Sequence, residues 1–268
     1  MRFIRKHFSL TRAGMLKAFS FRSGYLMNLA GNIIYMIIVY CLWRAIFSSV
    51  QFATISGMDF QNTVLYLFVA NAILNLIDVN LVWNIGEDIK TGAICVDLLK
   101  PMSYPVYAFF KYSGNYIINF FSTFLLTMLI CYAMFPEFLP EGIQIILFSF
   151  CLLMGIIINF CVEFIVATIC VYAESIWGIN IFKDVIISLL SGTLVPLDFY
   201  PDWLLKIVNC FPFRFVYHNT IKVLLEANIS YKDYPLLLGK QCLWTIALII
   251  MMACFWKKAS ASIMVNGG

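Results

Sequence analysis

The sequence predicts an all-α integral membrane protein with six transmembrane helices, an N-terminal interfacial helix and an outer re-entrant helical hairpin before the last span. Three observations carry that prediction. Of 268 residues, 62% are apolar or aromatic and 12% are charged, with a mean hydropathy of +0.89. Soluble chains average about half apolar and about a quarter charged. The apolar residues collect in runs near the ~20 residues that cross a bilayer core as helix. The charges fall mostly between those runs. A soluble globule of this size could not hide so much apolar surface, so a soluble enzyme, a disordered chain and a disulfide scaffold are excluded. Residues 1–268 read as a single transmembrane domain.

Residues 1–22 come first. Every charge before Asp59 is basic: Arg2, Arg5, Lys6, Arg12, Lys17, Arg22 and Arg44. A cleaved signal peptide does not fit, because the apolar run that follows is too long and lacks a small-residue cleavage site. A mitochondrial transit peptide would leave the span straight after it unexplained. An interfacial helix with its cations in the headgroups fits best. Ile4, Phe8, Met15 and Phe19 share one face at helical spacing, with Arg12 close to that stripe.

The spans follow in order. The first is Gly24 to Trp43, between Arg22 and Arg44. The second, Phe60 to Val82, is interrupted only by Asp78, and the third, Tyr112 to Phe135, holds no charge. The fourth, Gly142 to Ala173, contains only Glu163 and is long enough to tilt or project beyond the membrane. Ile179 to Leu197 is the fifth and shortest, with 13 uncharged residues between Asp184 and Asp198. Leu236 to Trp256 is the sixth, with Lys240 placed to snorkel outward.

Lys and Arg favour cytoplasmic loops. With the N-terminal tail inside, Lys90, Lys100, Lys111, Lys183, Lys257 and Lys258 join its six cations, placing 12 of 18 basic residues on that side. The 136–141 loop opposite has none. Both termini are therefore expected in the cytoplasm.

Two segments are not spans. Residues 198–235 hold apolar pieces too short to cross, broken by Pro201 and Pro212 and rich in aromatics such as Phe199, Trp203, Phe211, Phe213 and Phe215. Backbone freed by those prolines has to be buried in protein or reach water. A re-entrant or interfacial hairpin meets both demands; an ordinary aromatic outer loop is the alternative. The loop at 83–105 has an apolar side (Ile89, Ile94, Val96, Leu98, Leu99) and a charged one (Glu87, Asp88, Lys90, Asp97, Lys100), punctuated by Gly92 and Pro101. It reads either as a docking loop for a soluble partner or as a loop packed on its own helix ends.

The chemistry of catalysis is missing. No phosphate-binding loop of the G-x-x-x-x-G-K-[ST] type occurs, and no H-E-x-x-H. None of the nine cysteines forms a C-x-x-C pair, and His7 and His218 lack a nearby ligand cluster, so no metal site is expected. Ser191-Gly192 with His218 does not make a serine nucleophile motif. Within spans the acids are Asp78 and Glu163, each about 20 residues into an inward-running helix. At that depth both fall near the inner boundary, where water or Lys183 can satisfy them. Asn71, Asn75 and Asp78 recur at i, i+4 and i+7 and so share one helix face, the better pathway candidate.

Two stretches carry a family resemblance: Leu98-Leu99-Lys100-Pro101-Met102-Ser103, and Ser191-Gly192-Thr193-Leu194-Val195-Pro196-Leu197 followed by Phe199-Tyr200-Pro201 and Phe211-Pro212-Phe213. In this order on this topology, the chain resembles the membrane subunits of type-2 ABC exporters over nearly its whole length. The resemblance implies a permease domain working as a dimer, with an identical or related permease, over two ATP-binding subunits. This chain would bind no cofactor; ATP and Mg would sit on the partner ATPase. Glu87, Asp88, Ile89, Lys90, Asp97, Leu98 and Leu99 would form the coupling contact with that ATPase. The second and fifth spans would line the dimer axis, making Asn71, Asn75, Asp78, Ser191 and Leu194 pathway candidates. Trp203, Phe211 and Phe213 of the outer hairpin would act as a lid or lipid-facing wall. The bacterial plasma membrane is the expected location, and no nucleic acid is an expected partner. The apolar fifth span favours an amphiphilic cargo. An ATP-independent channel or carrier is the alternative, although the internal repeat and broken helix pairs of many carriers are not evident.

Overall fold

The computed structural model describes residues 2–19, 22–49, 54–138, 140–172, 176–225 and 234–262. Five segments are long and apolar enough to cross a membrane: Gly24–Ser49, Phe60–Lys90, Tyr104–Met134, Gly142–Ile169 and Tyr234–Ser260. Their outward faces are apolar. On α2 (Arg22–Ser49), Leu26, Met27, Ile33, Ile34, Ile37 and Ile38 are exposed while Asn32 is buried. That inversion suits a lipid solvent and would aggregate in water.

At the centre stands α3 (Phe60–Ile77), with 13 of its 18 residues buried. A helix apolar on every side belongs in the middle of a bundle. It is preceded by a two-residue hairpin, β1 (Thr54–Ile55) and β2 (Met58–Asp59), turning at Ser56 and Gly57 with positive φ at both. The Asp59 carboxylate caps α3 by accepting the Asn62 N–H at 2.8 Å. The sequence pattern does not reveal this hairpin, whose strands are only two residues each.

The second apolar run, expected as one helix to Val82, breaks after Ile77. Asp78 is extended, Asn80 has φ +51°, and α4 (Leu81–Lys90) starts anew. Short polar side chains make that break inexpensive: Asp78 Oδ1 accepts the Asn80 N–H at 3.1 Å, and Asn tolerates the left-handed region. Gly92 (φ +75°) then separates α4 from α5 (Ile94–Leu98), the punctuation its sequence position predicted.

The third crossing starts at Tyr104, eight residues before the expected Tyr112, because Pro105 in the first turn has no N–H to leave unpaired. It runs as α6 (Tyr104–Asn119), a π-helical turn at Phe120–Phe124 and α7 (Leu125–Met134). The N-terminal α1 (Arg2–Phe19) lies against α6. His7 meets Phe110 edge-on at 4.3 Å, the Thr11 and Ser113 hydroxyls are 2.8 Å apart, and Gly14 and Gly114 allow the closest approach. Phe8 and Leu16 face away from that contact. The side chains of Ile4 and Phe19, also in the expected stripe, lie outside the described residues.

The fourth crossing, α8 (Gly142–Ile169), is 28 residues long, about 42 Å by helical rise. The predicted fifth span ends early. Helix α9 (Ile176–Ser191) has 16 residues, about 24 Å, short of a bilayer core by itself. Gly192 at φ +80° stops it, the Ser191 hydroxyl lies 3.2 Å from that of Thr193, and Pro196 prevents continuation. A 3₁₀ turn (Leu197–Phe199), α10 (Asp202–Val208), α11 (Phe213–Val216) and α12 (His218–Leu225) follow, the last two packing on α8. Residues 226–233 of the predicted outer segment lie outside the described residues. Finally α13 (Tyr234–Ser260) returns along α8, tied to it by Gln241 Nε2, which donates to the Cys151 carbonyl at 2.8 Å.

The last turns of α13 reach the end of the bundle that holds α1 and the 83–105 loop. Trp256 stacks on Tyr104 at 4.8 Å and meets Phe164 at 5.5 Å. Both ends of the described chain therefore lie beside that loop.

Candidate functional site

The 83–105 loop is clamped, not free. Lys111 of α6 reaches Asp88 at 3.4 Å and Asp97 at 3.2 Å, and Lys100 reaches Asp97 at 2.6 Å. Lys100 also donates to the Tyr107 hydroxyl at 2.6 Å and lies 4.0 Å over that ring. Burial opposes the charge on Asp97, but the hydrogen bond from Lys100 and the nearby Lys111 outweigh it and hold the carboxyl below its usual range. Burial likewise opposes the Lys100 charge, and the bonds to Asp97 and Tyr107 push its ammonium above the usual range.

What this clamp presents outward is apolar. Ile94, the first residue of α5, is buried, while Val96 is 68% and Leu99 85% exposed, with Leu98 beside them. Glu87 and Lys90 are exposed on the rim and Ile89 is half-buried. The predicted coupling residues thus separate. Asp88 and Asp97 fasten the loop onto α6, and Val96, Leu98 and Leu99 form an exposed apolar tip. Val96 and Lys111 complete the picture: the first stood on the apolar side of the loop and the second counted only as a cytoplasmic charge.

Behind the clamp, a cavity of about 780 Å³ opens between α1, α2, the α3–α4 break and α6. Six asparagines line it, together with Asp78, Lys111 and several aromatic rings. Asn75 and Asp78, two of the expected pathway residues, face it; the third, Asn71, is buried deeper. There it donates to Asn32 of α2, which in turn donates to the Thr127 hydroxyl at 3.0 Å. Asn75 donates back to the Asn71 carbonyl at 2.8 Å, in keeping with a shared helix face. Asn119 closes the cavity floor by donating to the Asn75 carbonyl at 3.0 Å. The pairs Asn80/Asn84 and Asn115/Asn119 stand at i, i+4 in the sequence, a signal that could have revealed this wall.

Ser191 and Leu194 do not join that cavity. Ser191 is fully buried and Leu194 exposed, in the turn beside Tyr66 of α3. Tyr66 and Asn75 are separated by roughly 14 Å along the helix at 1.5 Å per residue. The turn is held from α12, where His218 Nδ1 lies 3.1 Å from the Tyr66 hydroxyl and Lys222 reaches Asp198 at 2.7 Å. Tyr200 donates to the Leu189 carbonyl at 2.9 Å. On α10 and the following turn, Trp203 and Phe211 are exposed and Phe211 stacks on Phe213 at 5.9 Å. The expected pathway set is thus two sites, one at each end of α3, and α3 itself is enclosed by its own chain.

A family model described as an ABC-2 family transporter protein matches residues 33–267. The chain belongs to the ABC-2 transporter family. It is a multi-pass membrane permease of an ABC transporter, the kind of subunit that works with an ATP-binding subunit. No curated relative matches the chain.

Proposed function

We propose that this permease is the membrane-spanning subunit of an ATP-driven exporter, moving an amphiphilic substrate out across the bacterial plasma membrane. ATP and Mg are bound, and ATP hydrolysed, on a separate chain, and this subunit performs no catalysis. The observation that carries the reading is the apolar tip of Val96, Leu98 and Leu99 on a loop clamped through Asp88 and Asp97 to Lys111. A stiff lever with an unpartnered apolar end suits transmission of movement from a soluble partner into α6 and the α3–α4 break. The excess of Lys and Arg at that end supports a cytoplasmic loop and cytoplasmic termini.

Helix α9, with its turn at 192–199, serves as a sixth crossing, and α10 to α12 form the outer re-entrant segment. The internally bonded Ser191 and Thr193 support a helix that ends inside the membrane. The face of α9 bearing Trp177, Ile181, Phe182, Val185 and Leu189 is exposed in the single chain, which suits contact with a second permease, identical or related, and with lipid.

The test is affinity purification of the tagged protein in mild detergent, with identification of co-purifying chains and an ATPase assay. A stoichiometric P-loop ATPase is the expected result. An ATPase-free oligomer that survives purification would replace this reading with an ATP-independent channel or carrier.

A further inference from the structure

We infer that the cavity between α1, α2, the α3–α4 break and α6 binds the ammonium group of an amphiphile, with Asp78 as its counter-ion. Its meaning for transport rests on the permease reading; the binding does not.

Three amides of the wall present acceptors. Asn75 Nδ2 donates to the Asn71 carbonyl, Asn84 Nδ2 to the Asn80 carbonyl at 2.9 Å, and Asn119 Nδ2 to the Asn75 carbonyl. A carbonyl can only accept, so each amide has to present its NH₂ there and turn its Oδ1 the other way. Among the described residues, no donor takes up those three Oδ1 atoms. All three side chains belong to residues that line the cavity.

Charge points in the same direction. Asp78 accepts the Asn80 N–H, and among the described residues no cation stands within ion-pair distance of its carboxylate. Lys111, the cation of the wall, is already held by Asp88 and Asp97. Tyr25 and Trp83 add aromatic rings to the lining, of the kind that attracts a cation. A carboxylate, unengaged amide oxygens and aromatic rings suit a cation rich in N–H donors, whereas an anion would meet Asp78 with, among the described lining residues, only the already paired Lys111 to offset it. The volume is that of a small-molecule site. The exposed Leu26 and Met27 follow Tyr25 on α2, an apolar surface along which an alkyl tail can lie.

Dodecylamine, protonated at pH 7, is the probe, offered to the purified full chain in phosphatidylcholine nanodiscs without any ATPase. Saturable binding is expected, with no competition from dodecanol or dodecanoate. Asp78→Asn keeps the bond to the Asn80 N–H but removes the charge, and is expected to weaken binding about tenfold, the worth of one charged hydrogen bond. Trp83→Leu is the second variant and is expected to weaken it several-fold. Dodecylamine binding no tighter than dodecanol, or unchanged affinity in both variants, would overturn the site. Competition by phosphatidylethanolamine in the disc marks a lipid headgroup as the occupant; competition by free alkylamine alone marks a soluble amphiphile, and each supports the ammonium assignment. Failed export with binding intact counts against the exporter reading and leaves the site standing.

Discussion

Lys183 on α9 reaches Glu163 on α8 at 2.7 Å, and both side chains are more than nine-tenths hidden. Asp184 stands 3.0 Å from the same ammonium. The pair ties the short α9 to the long α8 next to the aromatic contact of Phe164 with Trp256. Lys183→Met strands the Glu163 carboxylate away from water and should cost about 3–5 kcal/mol, whereas Glu163→Ala leaves the ammonium beside Asp184 and should cost less. The double variant Glu163→Leu with Lys183→Met should cost much less than the sum. Thermal unfolding in detergent over the complete double-mutant cycle reads this, and additive losses would mean the pair is not coupled.

The crossing of α1 over α6 depends on two glycines. A Cβ on Gly14 would stand 2.5 Å from the Lys111 carbonyl oxygen, and one on Gly114 2.4 Å from the Met15 nitrogen. Backbone atoms cannot yield as a flexible side chain does. Gly114→Val should therefore lift α1 from α6 while leaving the bundle inserted. Faster proteolysis at Arg5, Lys6 and Arg12 with unchanged membrane yield is the expected outcome; unchanged cleavage would show that the helices re-seat.

The loop tip allows a sharper test than charge reversal at Glu87 and Asp88. Because Asp88 is paired with Lys111, reversing it should loosen the loop itself. Val96→Asp with Leu99→Asp leaves the clamp intact and spoils only the exposed apolar surface. That variant should lose an ATP-binding partner on purification while inserting normally. Retention of the partner at wild-type stoichiometry would move the docking surface elsewhere.

The clamp has a defined pH window. Asp97 is held below its ordinary range, so its stabilising contribution is complete above the unfolded carboxylate value, near 4, and fades as pH falls through the lower folded value. Lys100 is raised, so its contribution is complete below the unfolded lysine value, near 10.4, and fades as pH rises through the higher folded value. Between about pH 5 and pH 9 the loop should not respond to pH at all. The mobility of a spin label at position 96 measures this, and a transition near neutrality would show that the clamp is not what holds the loop.

Gly192 turns the chain at the end of α9, beside Tyr66 of α3. Its φ is +80°, and a Cβ there would meet the Tyr66 hydroxyl and Leu197 Cγ at 2.8 Å. Gly192→Ala should cost about 1–3 kcal/mol from left-handed strain and crowding. It should also disturb the Tyr66–His218 contact, which the thermal midpoint and the environment of His218 together report.

Composition and the spacing of charges already determined the membrane setting, most of the crossings and the division of the loop at Gly92; the Asn71–Asn75–Asp78 face holds only as far as Asn75, since the helix ends before Asp78. Those features follow from local rules: the length of a bilayer, the period of a helix and the conformational freedom of glycine. The depth of Glu163 and Lys183 in neighbouring spans even foreshadowed their pairing. What no single stretch could disclose is how residues distant in the chain share space. Lys111 gathers Asp88 and Asp97 because α6 begins eight residues earlier than its apolar run. The α3–α4 break exists because Asp78 and Asn80 bond to each other more readily than they continue a helix, and the facing α1, α2 and α6, with Asn115 and Asn119, turn that break into a cavity. The sequence determined which residues leave water; the packing of α1, α3 and α6 decided which polar groups they keep.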